Sequence, residues 1–570
     1  MALPKRIVRR CFLIPCVFAS VIVASGCTNE VDPSGNDTES PQDAATGNDQ
    51  EDSAAQNPDA SSKADAWQQD VIDIEEDSDI SDAQQDSPDI TIPVQRTRLE
   101  EEPIAAFITS PALAPAFEPY VQLHTLLGIT TKMITTEEIC GGQCNDGNPR
   151  KDTAFHIKQW LISHPEIRYA VLAGDIEHVP SRQVEDSFKN DTLKISYHER
   201  FYTDYYYSDH SQWDANGDGK YAVDGQDSPA YKATIAVSRV SVSTVKEASQ
   251  YYDKLVRYLT EFPDSKVKQA LLLSNVAFSY NSLEIDGALY FENTNRTRAI
   301  VAPVYPEITR LYAKGTNGAI VNTLEHQLNE LQKGYNLVVH TGHGAVSSLT
   351  TEQDGKHNMT GVDAAGLRNN PYSVFLSCAC QAGTFAADDS AGEKFVNNPS
   401  GGAIAYLGNT ATGLGIAGGM QLIDELLRYV AANEHPLLAD AYLTAHNRLP
   451  EHDDFTPDLL PISLPVIDIH SYEWTQKTVV LLGDMLIPVY RDSLIEAPKV
   501  TVSQETVDGK WQLVVSTNPA VNAKARILVE DTYYEVQLSE GKARLEPAAA
   551  GDYAIGLAMP GYQSALIRSN

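Results

Sequence analysis

The sequence predicts an α/β fold, a parallel-sheet unit of two α/β subdomains, followed by a small all-β sandwich. Three observations predict it. Apolar runs of strand length alternate with runs of helical spacing from about Ile104 to Val489, and the alternation restarts once near residue 266. After Pro498 no helical run interrupts a series of short alternating strands. Between residues 28 and 100 acidic residues are many and apolar ones few, which leaves nothing from which to build a core.

Residues 1–27 read as a targeting segment. Lys5, Arg6, Arg9 and Arg10 precede the apolar run CFLIPCVFASVIVA, which is too short for a membrane span. The run ends in ASGC, which resembles a bacterial lipobox. That resemblance implies cleavage before Cys27, lipidation of its thiol, and, with Thr28 following, sorting to the outer membrane or cell surface. A plain secretory signal and a secreted product is the alternative. Residues 28–100 carry 20 Asp and Glu against Lys63, Arg96 and Arg98, a net charge of −17, half of the chain's −34. Such a segment reads as a disordered acidic tether that self-repulsion extends. The acidic balance also argues against nucleic-acid partners.

Residues 101–265 form the first α/β subdomain. IAAFITS reads as a strand, PAFEPYVQLHTLLG as a helix, TTKMITTEEI as a strand and turn, TAFHIKQWLISH as a helix, and RYAVLAGD as a buried strand ending at Asp175. The strand KATIAVSRVSV and the helix VKEASQYYDKLVRYLTEF complete it. Residues 266–496 repeat the theme. QALLLSNVA is a strand, IVNTLEHQLNELQKG a helix, and YNLVVHTGHG, YSVFLSCAC and GAIAYLGNT are strands. The helix MQLIDELLRYVAANE and the strand KTVVLLGD follow. Residues 497–570 are the β-sandwich, with Asp508-Gly509 as a hairpin turn.

Cys140 and Cys144, in CGGQC, are placed to close a small disulfide loop in an oxidising compartment. Cys378 and Cys380, in FLSCACQAGTF, need another explanation. The runs VVHTGHG and FLSCACQAGTF both end a strand in glycine-containing turn chemistry, and sites in open α/β sheets lie at the carboxyl ends of strands. His343 and Cys380 therefore stand where chemistry usually sits. His340, His343, Cys378 and Cys380 have the ligand types of a structural zinc site, although residues three apart on a strand face opposite ways. Packing in a core is a second reading. The third is a Cys/His dyad, in which the imidazole takes the thiol proton. Gly344, lacking a side chain, would let its N–H approach an oxyanion, with the Cys380 N–H as second donor. DANGDG places Asp214, Asn216 and Asp218 at alternate positions before a glycine, the front half of a calcium loop, but Gly225 stands where the bidentate Glu belongs.

HTGHG paired with Cys380-Gln381-Ala382-Gly383-Thr384-Phe385 resembles the gingipain family of cysteine peptidases, peptidase family C25. IAAFITSPALAPAFEPYVQLHTLLGI, YAVLAGDIEHVP, YTDYYYSDHSQWDANGDGKYA with IAVSRVSV, NPSGGAIAYLGNT and VVLLGDMLIPV resemble further pieces of it in the same order. The resemblance implies a caspase-like catalytic fold with an Ig-like tail. It also implies a cysteine endopeptidase acting on proteins or peptides, with Cys380 as nucleophile and His343 as general base and acid. An acid is expected near the histidine, for which Asp286 is the choice, with Glu284 and Glu292 as rivals. The chemistry requires no cofactor, and a structural calcium ion at Asp214, Asn216 and Asp218 accords with the family. The alternative is a catalytically silent surface lipoprotein that keeps the fold for binding or adhesion.

Overall fold

Runs such as Ala105–Thr109, Tyr169–Ala173, Leu337–Thr341 and Ser373–Ser377 are buried at every position, as strands covered on both faces must be. They belong to a computed structural model that describes residues 92–569 apart from 143, 145–150, 191–194, 224, 281–282, 352–356, 387–388 and 452–468. The signal segment with Cys27 and the acidic tether up to residue 91 lie outside the described residues.

Among the described residues one sheet has eleven strands. In chain order they are β1 (Ala105–Thr109), β2 (Thr131–Thr135), β3 (Tyr169–Ala173), β4 (Ala236–Val240), β5 (Gln269–Ser274) and β6 (Glu307–Tyr312). They continue with β7 (Ile320–Val321), β8 (Leu337–Thr341), β9 (Ser373–Ser377), β10 (Ala403–Asn409) and β11 (Val479–Gly483). Their order across the sheet is β7-β6-β5-β8-β9-β10-β11-β4-β3-β1-β2. Neighbours are parallel except β10 and β11, which are antiparallel. The two expected subdomains therefore share one continuous sheet and run in opposite directions within it. The late strand β11 forms the seam, reaching β4 through the pair Leu482 and Arg239.

Helices cover both faces. The helix Val245–Thr260 starts at a Thr244/Glu247 capping box and buries Tyr251, Leu255 and Tyr258 on one face. Its Lys254 is fully buried and donates to the Phe395, Val396 and Asn398 carbonyls at 3.2, 2.8 and 2.9 Å, closing the end of the short helix Ala391–Asn397. Cys140 and Cys144 are joined in a disulfide.

Several elements differ from the sequence reading. Thr136–Cys140 is a short helix with its own Thr135/Glu138 capping box where a turn was expected. Strand β6 and the antiparallel hairpin of Arg182–Asn190 and Ile195–Thr203 were not read, and Ile320–Val321, expected to open a helix, is strand β7, with the helix starting at Leu324. β6 and the hairpin scatter charged residues among few apolar ones, so no apolar run or clean alternation marks them in the sequence. The tail is two four-stranded sheets. Asp508 and Gly509 turn its first hairpin with φ of 52° and 76°, joining Val507 to Lys510. One strand of that sandwich comes from Val94–Gln95, which pairs in parallel with Lys542–Leu545, while Arg96 grips Glu546 at 2.8 and 2.9 Å. Residues 94–96, read as tether, thus belong to the sandwich. A two-residue strand is too short for its pattern to show.

Candidate active site

Strands β8 and β9 are parallel neighbours in the middle of the sheet. Their register pairs Leu337 with Val374 and His340 with Ser377, an offset of 37 residues. The same offset separates His343 from Cys380, so both residues leave the sheet at the same height, on adjacent strands, at the same edge. The two exit loops touch. A Cβ placed on Gly344 would lie 2.9 Å from Ala379 Cβ and 3.2 Å from the Cys380 carbonyl, so only glycine lets the histidine loop come this close. The Thr350 N–H donates to the His343 carbonyl at 3.1 Å, and Gly344 faces Leu349 in the next rung. Rungs of an antiparallel ladder alternate, which turns the Gly344 N–H away from its partner strand.

His343 is exposed at the end of its strand, and neighbouring protein partly desolvates the ring. Loss of solvent lowers its pKa below the usual histidine value, and a bond to the Ala277 main-chain carbonyl opposes that shift. Cys380 is 8% exposed and is not in a disulfide. Its Sγ donates to the Gly413 carbonyl at 3.8 Å. Gln381, next in the chain, has φ of 54°, a left-handed conformation uncommon for a side-chain-bearing residue. The Gln381 N–H is held by the Ala411 carbonyl at 2.9 Å. Gly383 permits the loop to lie on β10, where a Cβ would come within 2.9 Å of the Gly408 carbonyl carbon.

Cys378 is sealed in the core with its Sγ 3.5 Å from Thr341 Oγ1, and burial raises its pKa. His340 is fully buried with Nδ1 2.9 Å from Ser377 Oγ, and burial lowers its pKa to about 3. Among the described residues no group of three or more His, Cys, Asp or Glu is arranged to hold a metal ion. The zinc reading therefore has no support in the geometry.

The acid chosen from the sequence is placed differently from its expected role. Asp286 accepts from Ser274 Oγ at 2.7 Å, the Ala288 N–H at 2.9 Å and the Lys314 N–H at 3.2 Å. It fixes the turn after Leu283–Asp286, and the group bonded to the His343 ring is the Ala277 carbonyl instead. Glu292 is engaged by Arg310, Arg298 and Tyr312. A main-chain carbonyl carries no sequence signal, so no motif could have identified Ala277.

In the acidic turn the side chains fold back on their own main chain. Asp214 Oδ2 accepts from Gly219 N–H at 3.2 Å, Asn216 Oδ1 from Asp218 N–H at 2.9 Å, and Asp218 Oδ1 from Lys220 N–H at 2.8 Å. Both oxygens of Asp227 accept loop N–H groups, from Ala215 and Val223. The donor set of two carboxylates and one amide is short of the six to eight oxygens a calcium ion takes.

The fully buried Arg239 of β4 draws distant motifs together. It donates to both Asp204 oxygens at 2.8 Å and to the Gly174 and Val179 carbonyls at 2.9 Å. The Phe385 ring, at the end of the cysteine loop, lies 4.4 Å from its guanidinium. Glu393, on the helix after that loop, accepts from Ser241 Oγ at 2.6 Å, and burial raises its pKa to about 7.

A family model, peptidase family C25, matches residues 99–490. Solved structures with a similar fold include that of the Arg specific cysteine proteinase gingipain R (RgpB), with a TM-score of 0.56 and 14% identity, covering 83% of this chain and 99% of that one. The complex of Porphyromonas gingivalis RgpB pro- and mature domains has a TM-score of 0.55 and 15% identity, covering 81% and 99%. A third structure, described as that of a protease, has a TM-score of 0.53 and 14% identity, covering 83% and 98%. At these identities the likeness establishes the fold, an α/β caspase-like unit with an all-β tail. A sequence search of curated proteins finds no match.

Proposed function

The chain belongs to peptidase family C25, and on that premise we propose that it is a cysteine endopeptidase whose nucleophile is Cys380 and whose proton carrier is His343. The observation that carries the assignment is the shared register of the two strand ends. With one ring N–H bonded to the Ala277 carbonyl, a neutral His343 keeps its other nitrogen as an acceptor for the thiol proton. Sulfur then bonds to the substrate carbonyl carbon, and the carbonyl oxygen becomes an oxyanion held by the Gly344 and Cys380 N–H groups. Collapse of that intermediate expels the amine, which takes its proton from His343, and water hydrolyses the remaining thioester. Asp286 has no part in these steps.

The test is alkylation by iodoacetamide near pH 6 together with cleavage of a mixed peptide library. Cys380→Ala is expected to lose both labelling and cleavage, whereas Cys378→Ser keeps both, because its thiol is buried and harder to ionise. A folded wild-type protein that neither labels nor cleaves would favour the silent binding or adhesion lipoprotein.

The same reading places the protein at the cell surface or outer membrane through lipid on Cys27, with release as a secreted protein if the signal is a plain one. Among the described residues no helix is long and apolar enough to cross a membrane. A calcium ion at Asp214, Asn216 and Asp218 would be structural and would draw on oxygens that now accept loop N–H groups. Chelation is then read in the melting temperature, with the alkylation rate of Cys380 unchanged.

A further inference from the structure

Thr412, in the loop after β10 that lies against the cysteine loop, is bonded to the early half of the chain. Its N–H donates to Glu199 Oε2 at 3.0 Å and its hydroxyl donates to Glu199 Oε1. Its carbonyl accepts Trp474 Nε1–H at 2.7 Å. Every polar group of this one buried residue is thereby fixed. The residues on either side of it hold the nucleophile: Ala411 accepts the Gln381 N–H at 2.9 Å, and Gly413 accepts the Cys380 thiol at 3.8 Å. A shift of Thr412 moves both acceptors.

Glu199 lies on the strand Ile195–Thr203, 213 residues before Thr412. Neighbouring side chains on a strand point to opposite faces. His198 and Arg200 take the exposed face, where both meet Glu185. Glu199 takes the other, beside Asp186, which pairs with the buried Lys477. Phe201 and Phe188 of the same hairpin pack on Trp474 at 5.5 and 6.0 Å. The hairpin and Trp474 thus grip Thr412 from two sides.

We propose that Glu199 is a positioning residue for the nucleophile. Its carboxylate, through Thr412, sets the pair of carbonyls against which Cys380 and Gln381 are held. The proposal rests on the reading of Cys380 as nucleophile. A carbonyl oxygen beside a thiol accepts its proton and opposes the thiolate, so the place of Gly413 governs how readily Cys380 ionises. A glutamine at 199 can still accept the Thr412 N–H and donate to its hydroxyl, whereas an alanine can do neither.

The test compares Glu199→Gln, Glu199→Ala and Thr412→Val in a Cys378→Ser background, using the full chain. Three readouts are taken: the pH profile of iodoacetamide alkylation, kcat and KM on a cleaved peptide, and the melting temperature. Glu199→Ala is expected to lower kcat about tenfold with KM little changed and to move the midpoint of the alkylation profile by about half a pH unit. Glu199→Gln should stay within about threefold of the parent, and Thr412→Val should fall between the two. A folded Glu199→Ala protein with the parent's profile and turnover overturns the proposal. So does an equal loss in Glu199→Gln, which would assign the effect to charge rather than to the grip. If Glu199→Ala does not fold, Thr412→Val tests the same link, and a parental profile there overturns it. A parent protein that labels at Cys380 but cleaves no peptide sinks the peptidase reading instead. The alkylation profiles still decide whether Glu199 governs that thiol.

Discussion

Replacing Gly344 by alanine is expected to separate the oxyanion site from the nucleophile. The new methyl would stand 2.9 Å from Ala379 Cβ, 3.1 Å from the Ser348 carbonyl oxygen and 3.2 Å from that of Cys380. Carbon atoms in contact sit about 3.5–4.0 Å apart. Ala379 has no flexible end that can swing aside, so the two loops must part by several tenths of an ångström. The backbone itself accepts alanine, because Gly344 is not among the residues with positive φ. The steric cost is on the order of 1–3 kcal/mol, which lowers the melting temperature by a few degrees. The catalytic cost is larger, because a lost oxyanion donor lowers the rate by roughly 100- to 1000-fold. The assay is kcat/KM on a peptide drawn from the library, with Cys380→Ala as baseline and alkylation of Cys380 as control. Turnover should fall about 100-fold or more while alkylation stays within a few-fold of wild type. A folded Gly344→Ala protein that cleaves at the wild-type rate would refute the placement of the Gly344 N–H at the oxyanion.

Three further outcomes follow from the same geometry. His343 should titrate below the usual histidine range in Cys380→Ala protein, as read by NMR of the labelled ring. Its contribution to stability is present above pH 6.5 and lost as pH falls, because the unfolded chain then binds more protons. Glu393 has its pKa raised to about 7, so its carboxyl favours the fold below about pH 4.5, and that advantage is lost as pH rises through 7. Glu393→Gln should therefore gain on wild type with rising pH, by about 3 kcal/mol at pH 8, and a melting-temperature difference that is flat from pH 5 to 8 would argue against it. Asp286→Asn weakens a three-bond turn and should cost about 1–3 kcal/mol of stability. It should leave the pH profile of kcat/KM in place, and a displaced profile would restore Asp286 as the partner of His343.

The sequence disclosed the parts of this molecule that repeat a pattern. Strands β8 and β9 are apolar throughout and end in glycine-rich turns, so His343 and Cys380 could be placed at strand ends from spacing alone. The equal offset of 37 residues becomes meaningful only once those strands are known to be neighbours in register. The hairpin carrying Glu199 was missed because RQVEDSFKN and ISYHERFYT hold few apolar residues and place Asp186 and Glu199 on the covered face, which breaks the alternation. The seam at β11 was missed because VVLLG reads the same whichever way the strand runs. Ala277 contributes a main-chain oxygen, which any residue there would supply. The place of Asp286 in the sequence does not report which way its carboxylate points, and the structure turns it onto Ser274, Ala288 and Lys314.

Arg239 explains why several weak motifs travel together. Each looks like a separate strand end: AGD at Gly174, YTD at Asp204, SRV at Arg239 and the phenylalanine that closes CQAGTF. A buried guanidinium is tolerated only if its charge is paired and its N–H groups are bonded. Asp204 supplies the paired charge, the Gly174 and Val179 carbonyls take two further N–H bonds, and the face is covered by Phe385. A lysine has one nitrogen and could not meet Asp204 through two parallel bonds while reaching both carbonyls. The guanidinium belongs to the early half of the sheet and the phenylalanine to the loop of Cys380, so the contact crosses the seam between the oppositely running halves. The early half therefore touches Phe385 of the cysteine loop from Arg239, and Thr412 of the neighbouring loop after β10 from Glu199. Arg239 and Glu199, both in the early half, thus bear on the segments that flank Cys380 and the left-handed turn at Gln381.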